Sequence, residues 1–132
     1  MIKLIIFDLD GVLVNARELH YNALNRALES IDEKYVIERE EHLSTYDGLS
    51  TEKKLNLLTK NKNLSKELHD KVWELKQQMT LKIIDGFSAD DRIRGILRSF
   101  KSEGYIISCA TNSIRETAKL QLIRKGFFEY ID

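Results

Sequence analysis

The feature that most constrains this 132-residue chain lies at its start. Ile2–Phe7 is an apolar, β-branched run, and Asp8-Leu9-Asp10-Gly11 follows it directly. A run of this kind predicts a strand buried on both faces of a parallel sheet. The sequence after it is turn-prone, because Gly11 permits backbone angles closed to other residues. Two carboxylates therefore stand just past the end of a predicted core strand.

From Asn15, a predicted N-cap, the periodicity changes. Leu19, Ala23, Ala27 and Ile31 recur every four residues, with Leu24 and Leu28 beside them, as on the apolar stripe of a helix. A short helix is predicted around Val36–Leu43, then a turn at Tyr46-Asp47-Gly48. Ser50 is placed to cap a helix carrying Leu55 and Leu58, which Asn61-Lys62-Asn63 ends. Ser65 opens another, with Leu68, Val72, Leu75 and Met79 on one face. The Lys and Glu runs of this stretch read as solvated helix faces, and Trp73 as a packing residue. Residues 15–84 thus read as a helical module.

Near Asp85-Gly86 the pattern changes again. Ser88 with Asp91 resembles a capping box, and Ile93, Ile96, Leu97 and Phe100 form the face of the helix it would start. Gly104 fits a helix stop. Tyr105–Ala110 is a second apolar run, and Thr111-Asn112-Ser113 leads into a last helix that Gly126 ends. Strand, helical insert, helix, strand and helix make a βαβ unit interrupted after its first strand. The fold class is α/β: a Rossmann-like parallel-sheet core at 1–14 and 85–132, with an inserted α-helical cap at 15–84.

Composition narrows the function. Lys plus Arg and Asp plus Glu each number 21, so the chain lacks the basic excess that phosphate-backbone binding needs, and no nucleic-acid partner is expected. No apolar run approaches membrane-spanning length, and no membrane partner is expected. The opening run is too short for a secretory signal. The single cysteine, Cys109, cannot form an internal disulfide. The expected location is cytoplasmic.

In open parallel sheets, ligands bind at the carboxyl ends of the strands. Asp8 and Asp10 occupy that end of the first strand; Thr111 and Asn112 occupy that end of the second. One carboxylate can attack phosphorus, and another can protonate the leaving group and then take a proton from water. Mg²⁺ would offset the charge of two acids beside a phosphate. The Thr111 hydroxyl and the N–H groups after it suit phosphate oxygens.

Phe7-Asp8-Leu9-Asp10-Gly11-Val12-Leu13 resembles the nucleophile motif of the haloacid dehalogenase superfamily. Cys109-Ala110-Thr111-Asn112-Ser113 resembles its second motif. Leu19-His20, Asn22-Ala23-Leu24 and Tyr46-Asp47-Gly48-Leu49-Ser50 are similar to the cap of its β-phosphoglucomutase-like branch. The resemblance implies that Asp8 is the nucleophile and a metal ligand. It implies that Asp10 is the acid/base and a second metal ligand, through its backbone carbonyl. Thr111 and the main chain of Asn112 would hold the phosphoryl group, Mg²⁺ would be the cofactor, and a small phosphorylated metabolite the substrate.

The family also uses a later lysine and a further acid, and the sequence stops before either position. Three readings stay open: a portion of a larger hydrolase, a chain whose sheet and site a second chain completes, and an inactive relative that binds without catalysing. A bare strand edge as apolar as Tyr105–Ala110 predicts self-association. Thr51 stands where sugar-phosphate mutases of this branch carry an arginine, which favours a phosphatase over a mutase.

Overall fold

The computed structural model describes residues 1–132. The architecture is α/β. Two parallel strands, β1 (Leu4–Asp8) and β2 (Ile106–Ala110), pair in the register Leu4 with Ile106 through Asp8 with Ala110. The helices are α1 (Arg17–Glu29), α2 (Arg39–Glu41), α3 (Thr51–Lys62), α4 (His69–Asp85), α5 (Asp91–Ser102) and α6 (Arg115–Lys125). No helix is long and apolar enough to cross a membrane. The chain divides into two compact units, one of residues 1–16 and 81–132, the other of 17–80.

The first unit contains the sheet. Its core joins Leu9, Leu13 and Val14 from the loop after β1, Leu97 of α5, Ile107 of β2, Ala118 and Leu122 of α6, and Phe127. Phe7, Cys109 and Phe100 pack against this cluster half-buried. The opposite sheet face is bare: Leu4, Ile6 and Ile106 are 48%, 59% and 52% exposed. The strand expected to be buried on both faces is thus covered on one, because alternate side chains point to opposite faces and only one meets a packed layer. Ile96, expected on the buried face of α5, is also exposed.

The start of α5 differs from the sequence reading. Its N-cap is Asp90, whose carboxylate accepts the Ile93 N–H at 3.1 Å, rather than Ser88. An ionised cap also meets the positive end of the helix dipole, which a serine hydroxyl does less well. The chain end is pinned to the outer edge of β2. The Asp132 N–H donates to the Ile107 carbonyl at 2.8 Å, and the Asp132 carboxylate accepts the Ile107 N–H at 2.9 Å. Lys101 donates to the same carboxylate, and together with that N–H it holds Asp132 below the usual carboxylate range.

The second unit is helical. Leu24, Ala27 and Leu28 of α1, Leu55 and Leu58 of α3, and Val72 of α4 close around Tyr35, Ile37, Tyr46 and Leu64. Ser50 caps α3 by accepting the Lys53 N–H, and Asn63 ends it in the left-handed region at φ 57°. The short helix expected at Val36–Leu43 is instead the single turn α2 followed by a wider helical turn, His42–Tyr46. Trp73, expected as a packing residue, is 44% exposed.

Candidate active site

The parallel register brings the carboxyl ends of β1 and β2 together. Asp8 closes β1 opposite Ala110, so Thr111 leaves β2 at the same end. The chain then needs a firm anchor, because Asp8 is exposed and Asp10 only half-buried. Leu9 supplies it. Its side chain is fully buried, and its carbonyl accepts the N–H groups of Leu13 and Val14, both at 3.0 Å. Gly11 sits at φ 80°, and its N–H donates to the Val14 carbonyl at 2.7 Å, which closes the loop. A side chain at Gly11 would be strained there. The alternation exposed, buried, half-buried at Asp8, Leu9 and Asp10 is therefore set by one leucine in the core.

The two motif-bearing segments touch. Ser113 Oγ donates to Asp10 Oδ2 at 2.9 Å, across 103 positions of sequence. The Ser113 N–H donates to Thr111 Oγ1 at 3.1 Å. Asp8 Oδ1 accepts the N–H of Leu9 at 2.7 Å. Asn112 stands exposed on the turn. Sequence reasoning brought Asp8, Asp10, Thr111 and Asn112 to one end of the sheet but gave Ser113 no role. A signal was present: a Thr hydroxyl can accept the N–H two residues on, which ties Ser113 to Thr111.

Burial pushes the Cys109 thiol up, and the Asp8 and Asp10 carboxylates raise it further. The thiol is thus a poor nucleophile, and the nearby acids bear on it from the same end of the sheet. The N-cap of α6, Ile114, offers no side-chain acceptor, so the helix's first N–H groups are not taken by a cap.

No cluster of three or more His, Cys, Asp or Glu side chains is gathered as for a metal. The Asp8 carboxylate and the Asp10 backbone carbonyl are both oxygen donors. Oxygen donors of this kind fit Mg²⁺, which is commonly held by one or two carboxylates with water and substrate phosphate filling its shell.

The helical unit holds charge where solvated faces were expected. Lys54 and Lys76 are both buried. Burial lowers the Lys54 ammonium, against the pull of Asp47. Lys76 Nζ donates to the Thr51 hydroxyl at 2.9 Å. His42 is buried against the Tyr21 ring, 3.7 Å from Asp47, which also pairs with Arg17 at 3.0 Å. Burial, then Lys54, push the imidazole down.

The family profile of haloacid dehalogenase-like hydrolases matches residues 5–132. The chain belongs to that family. No curated protein matches it by sequence. Among solved structures, CbbY from Rhodobacter sphaeroides, crystallised with xylulose-(1,5)bisphosphate, superposes with a TM-score of 0.79 at 18% identity; the match covers 100% of this chain and 62% of that one. A predicted phosphoglycolate phosphatase from Haemophilus somnus gives 0.77 at 20% identity, covering 99% and 60%. β-Phosphoglucomutase from Clostridium difficile gives 0.70 at 24% identity, covering 100% and 60%. This family member thus spans about three fifths of the length of those structures. At these identities the likeness is one of fold: part of the family's α/β core together with its helical cap.

Proposed function

We propose that this haloacid dehalogenase-like chain carries the nucleophile half of a phosphohydrolase site for a small phosphorylated metabolite. The observation that carries the reading is the contact between its two motif segments, Ser113 Oγ on Asp10 Oδ2, beside Asp8 at the joint carboxyl end of both strands. In this reading a carboxylate oxygen of Asp8 attacks phosphorus and the bond to the leaving oxygen breaks. Asp10 gives that oxygen its proton. Water then attacks the aspartyl-phosphate, Asp10 takes a proton from it, and phosphate leaves with Asp8 restored. Thr111 and the main chain of Asn112 hold the phosphoryl oxygens. Asp8, with Asp10, would hold Mg²⁺, which supplies charge neutralisation of the phosphate. The unit of residues 17–80 serves as the cap, and residues 1–16 with 81–132 as the core.

The test is hydrolysis of p-nitrophenyl phosphate by the purified chain, with and without Mg²⁺, beside Asp8→Asn. Turnover that requires both Asp8 and Mg²⁺ supports the reading. Turnover equal in the variant refutes it.

A second reading has its own observation. The bare face of Leu4, Ile6 and Ile106, next to the unpaired outer edge of β1, is a surface built for burial. It supports a chain that works by binding, with a second chain or a second copy completing the sheet. Under that reading Asp8→Asn leaves biological activity intact.

A further inference from the structure

We propose that Ser113 is the positioning residue of this site, fixing Asp10 and Thr111 together; the proposal rests on the phosphohydrolase reading above. Ser113 uses both of its donors inside the site. Its hydroxyl donates to Asp10 Oδ2 at 2.9 Å, and its backbone N–H donates to Thr111 Oγ1 at 3.1 Å. One residue therefore joins the acid/base to the phosphoryl-binding hydroxyl, although they lie on different strand ends.

The consequences differ for the two bonds. The N–H bond occupies a lone pair of Thr111 Oγ1, which turns the Thr111 O–H away from the backbone and leaves it to donate to a phosphoryl oxygen. The hydroxyl bond holds one oxygen, Oδ2, of a half-buried carboxylate. General acid–base transfer needs the carboxyl group within hydrogen-bond reach of the leaving oxygen, so losing one of the bonds that hold it lowers the share of time it is in place. Ser113 thus acts through Asp10 and touches no reacting atom itself.

The geometry separates the side chain's work from the backbone's. Ser113→Ala removes only the bond to Asp10 and keeps the N–H that holds Thr111. Its expected signature is a fall in kcat of about tenfold or more with KM unchanged, since acid–base assistance as a whole is worth about 100- to 10,000-fold. Ser113→Thr keeps a hydroxyl at the same place and restores most of kcat. A merely structural serine would give neither the split nor the rescue.

The experiment measures kcat and KM of the full chain on p-nitrophenyl phosphate with Mg²⁺ for wild type, Ser113→Ala, Ser113→Thr and Asp8→Asn. It adds a urea-unfolding cycle that combines Ser113→Ala with Asp10→Asn. Support is a kcat loss rescued by threonine, with the alanine shift of the urea midpoint smaller in the Asp10→Asn background than in wild type. Unchanged kcat in Ser113→Ala, or additive midpoint shifts, overturns the Ser113 role while leaving the phosphohydrolase reading standing. Wild-type turnover no greater than that of Asp8→Asn overturns the phosphohydrolase reading itself, and with it any part for Ser113 in turnover; the unfolding cycle then still reads whether the two side chains are bonded.

Discussion

Replacing Leu9 by alanine should loosen the candidate site from inside the core. Leu9 is fully buried between an exposed Asp8 and a half-buried Asp10, and it packs with Leu13, Val14, Ile107 and Phe127. The change removes three carbons, worth about 2.4 kcal/mol at ~0.8 kcal/mol for each buried methylene. The cavity left behind adds to this, and measured leucine-to-alanine losses run about 2–5 kcal/mol. The sheet unit has about 70 residues, which at ~0.05–0.15 kcal/mol per residue gives it roughly 3–10 kcal/mol in all. One side chain therefore carries a large share of what holds the two acids in place. Leu9→Met, which nearly keeps the volume, should cost under about 1.5 kcal/mol.

The control is in the same loop. Val12 is 56% exposed, so Val12→Ala should stay within about 0.5 kcal/mol of wild type. The assay is native-state hydrogen exchange at the β1–β2 ladder amides, which reads the opening free energy of this unit directly. Tryptophan fluorescence is the wrong probe here, because the one tryptophan, Trp73, lies in the other unit. A Leu9→Ala loss no larger than that of Val12→Ala would refute the claim that core burial of Leu9 fixes the loop.

Two further predictions use other parts of the molecule. Stability of the helical unit should fall with acid through His42, whose neighbours are Lys54, Asp47, Arg39, Glu18 and the Tyr21 ring. Its folded pKa lies below the ordinary 6.5, so between those values the unfolded chain binds more protons and stability rises with pH. The full stability is present above pH 6.5 and is lost as the pH falls from there toward the folded value. Urea midpoints read by Trp73 fluorescence at pH 7.5 and 5.5 check this, and His42→Gln should flatten the difference. Separately, the bare sheet face should drive self-association: light scattering should show the wild type above the monomer mass at high concentration, and Ile6→Lys should return it to the monomer without lowering its melting temperature. A wild type that stays monomeric, compact and stable would refute this.

Local signals in the sequence were read well where the structure they report is itself local. The loop Asp8-Leu9-Asp10-Gly11 is closed by bonds within residues 9–14, and the Ser50 cap and the stops at Asn63 and Gly126 are equally local. Errors gathered where two local choices were close in energy. Ser88 and Asp90 are both good caps, and the ionised one prevailed. The Lys54 and Lys76 side chains looked like members of solvated charge runs, yet long aliphatic stems let a lysine lie buried while its ammonium finds a hydroxyl or a tip of solvent. Contacts between distant positions were invisible: neither periodicity nor capping rules report the Asp132 carboxylate on Ile107 or the Ser113 hydroxyl on Asp10.

The largest mismatch is informative in a different way. Ile2–Phe7 and Tyr105–Ala110 carry the composition of strands covered on both sides, and the pairing and register expected from them are present. The cover on the second face is not, for Leu4, Ile6 and Ile106 all meet solvent. A local rule reads what a strand's residues are suited to, whereas burial depends on what else is packed there. Where the two disagree at several neighbouring apolar positions on one face, the residues report a layer that the two strands and their helices do not themselves supply. That is why the association measurement and the hydrolysis measurement belong together. Asp8 ends β1, the strand with the bare face and the unpaired edge, so whatever covers that strand also settles the surroundings of the proposed nucleophile.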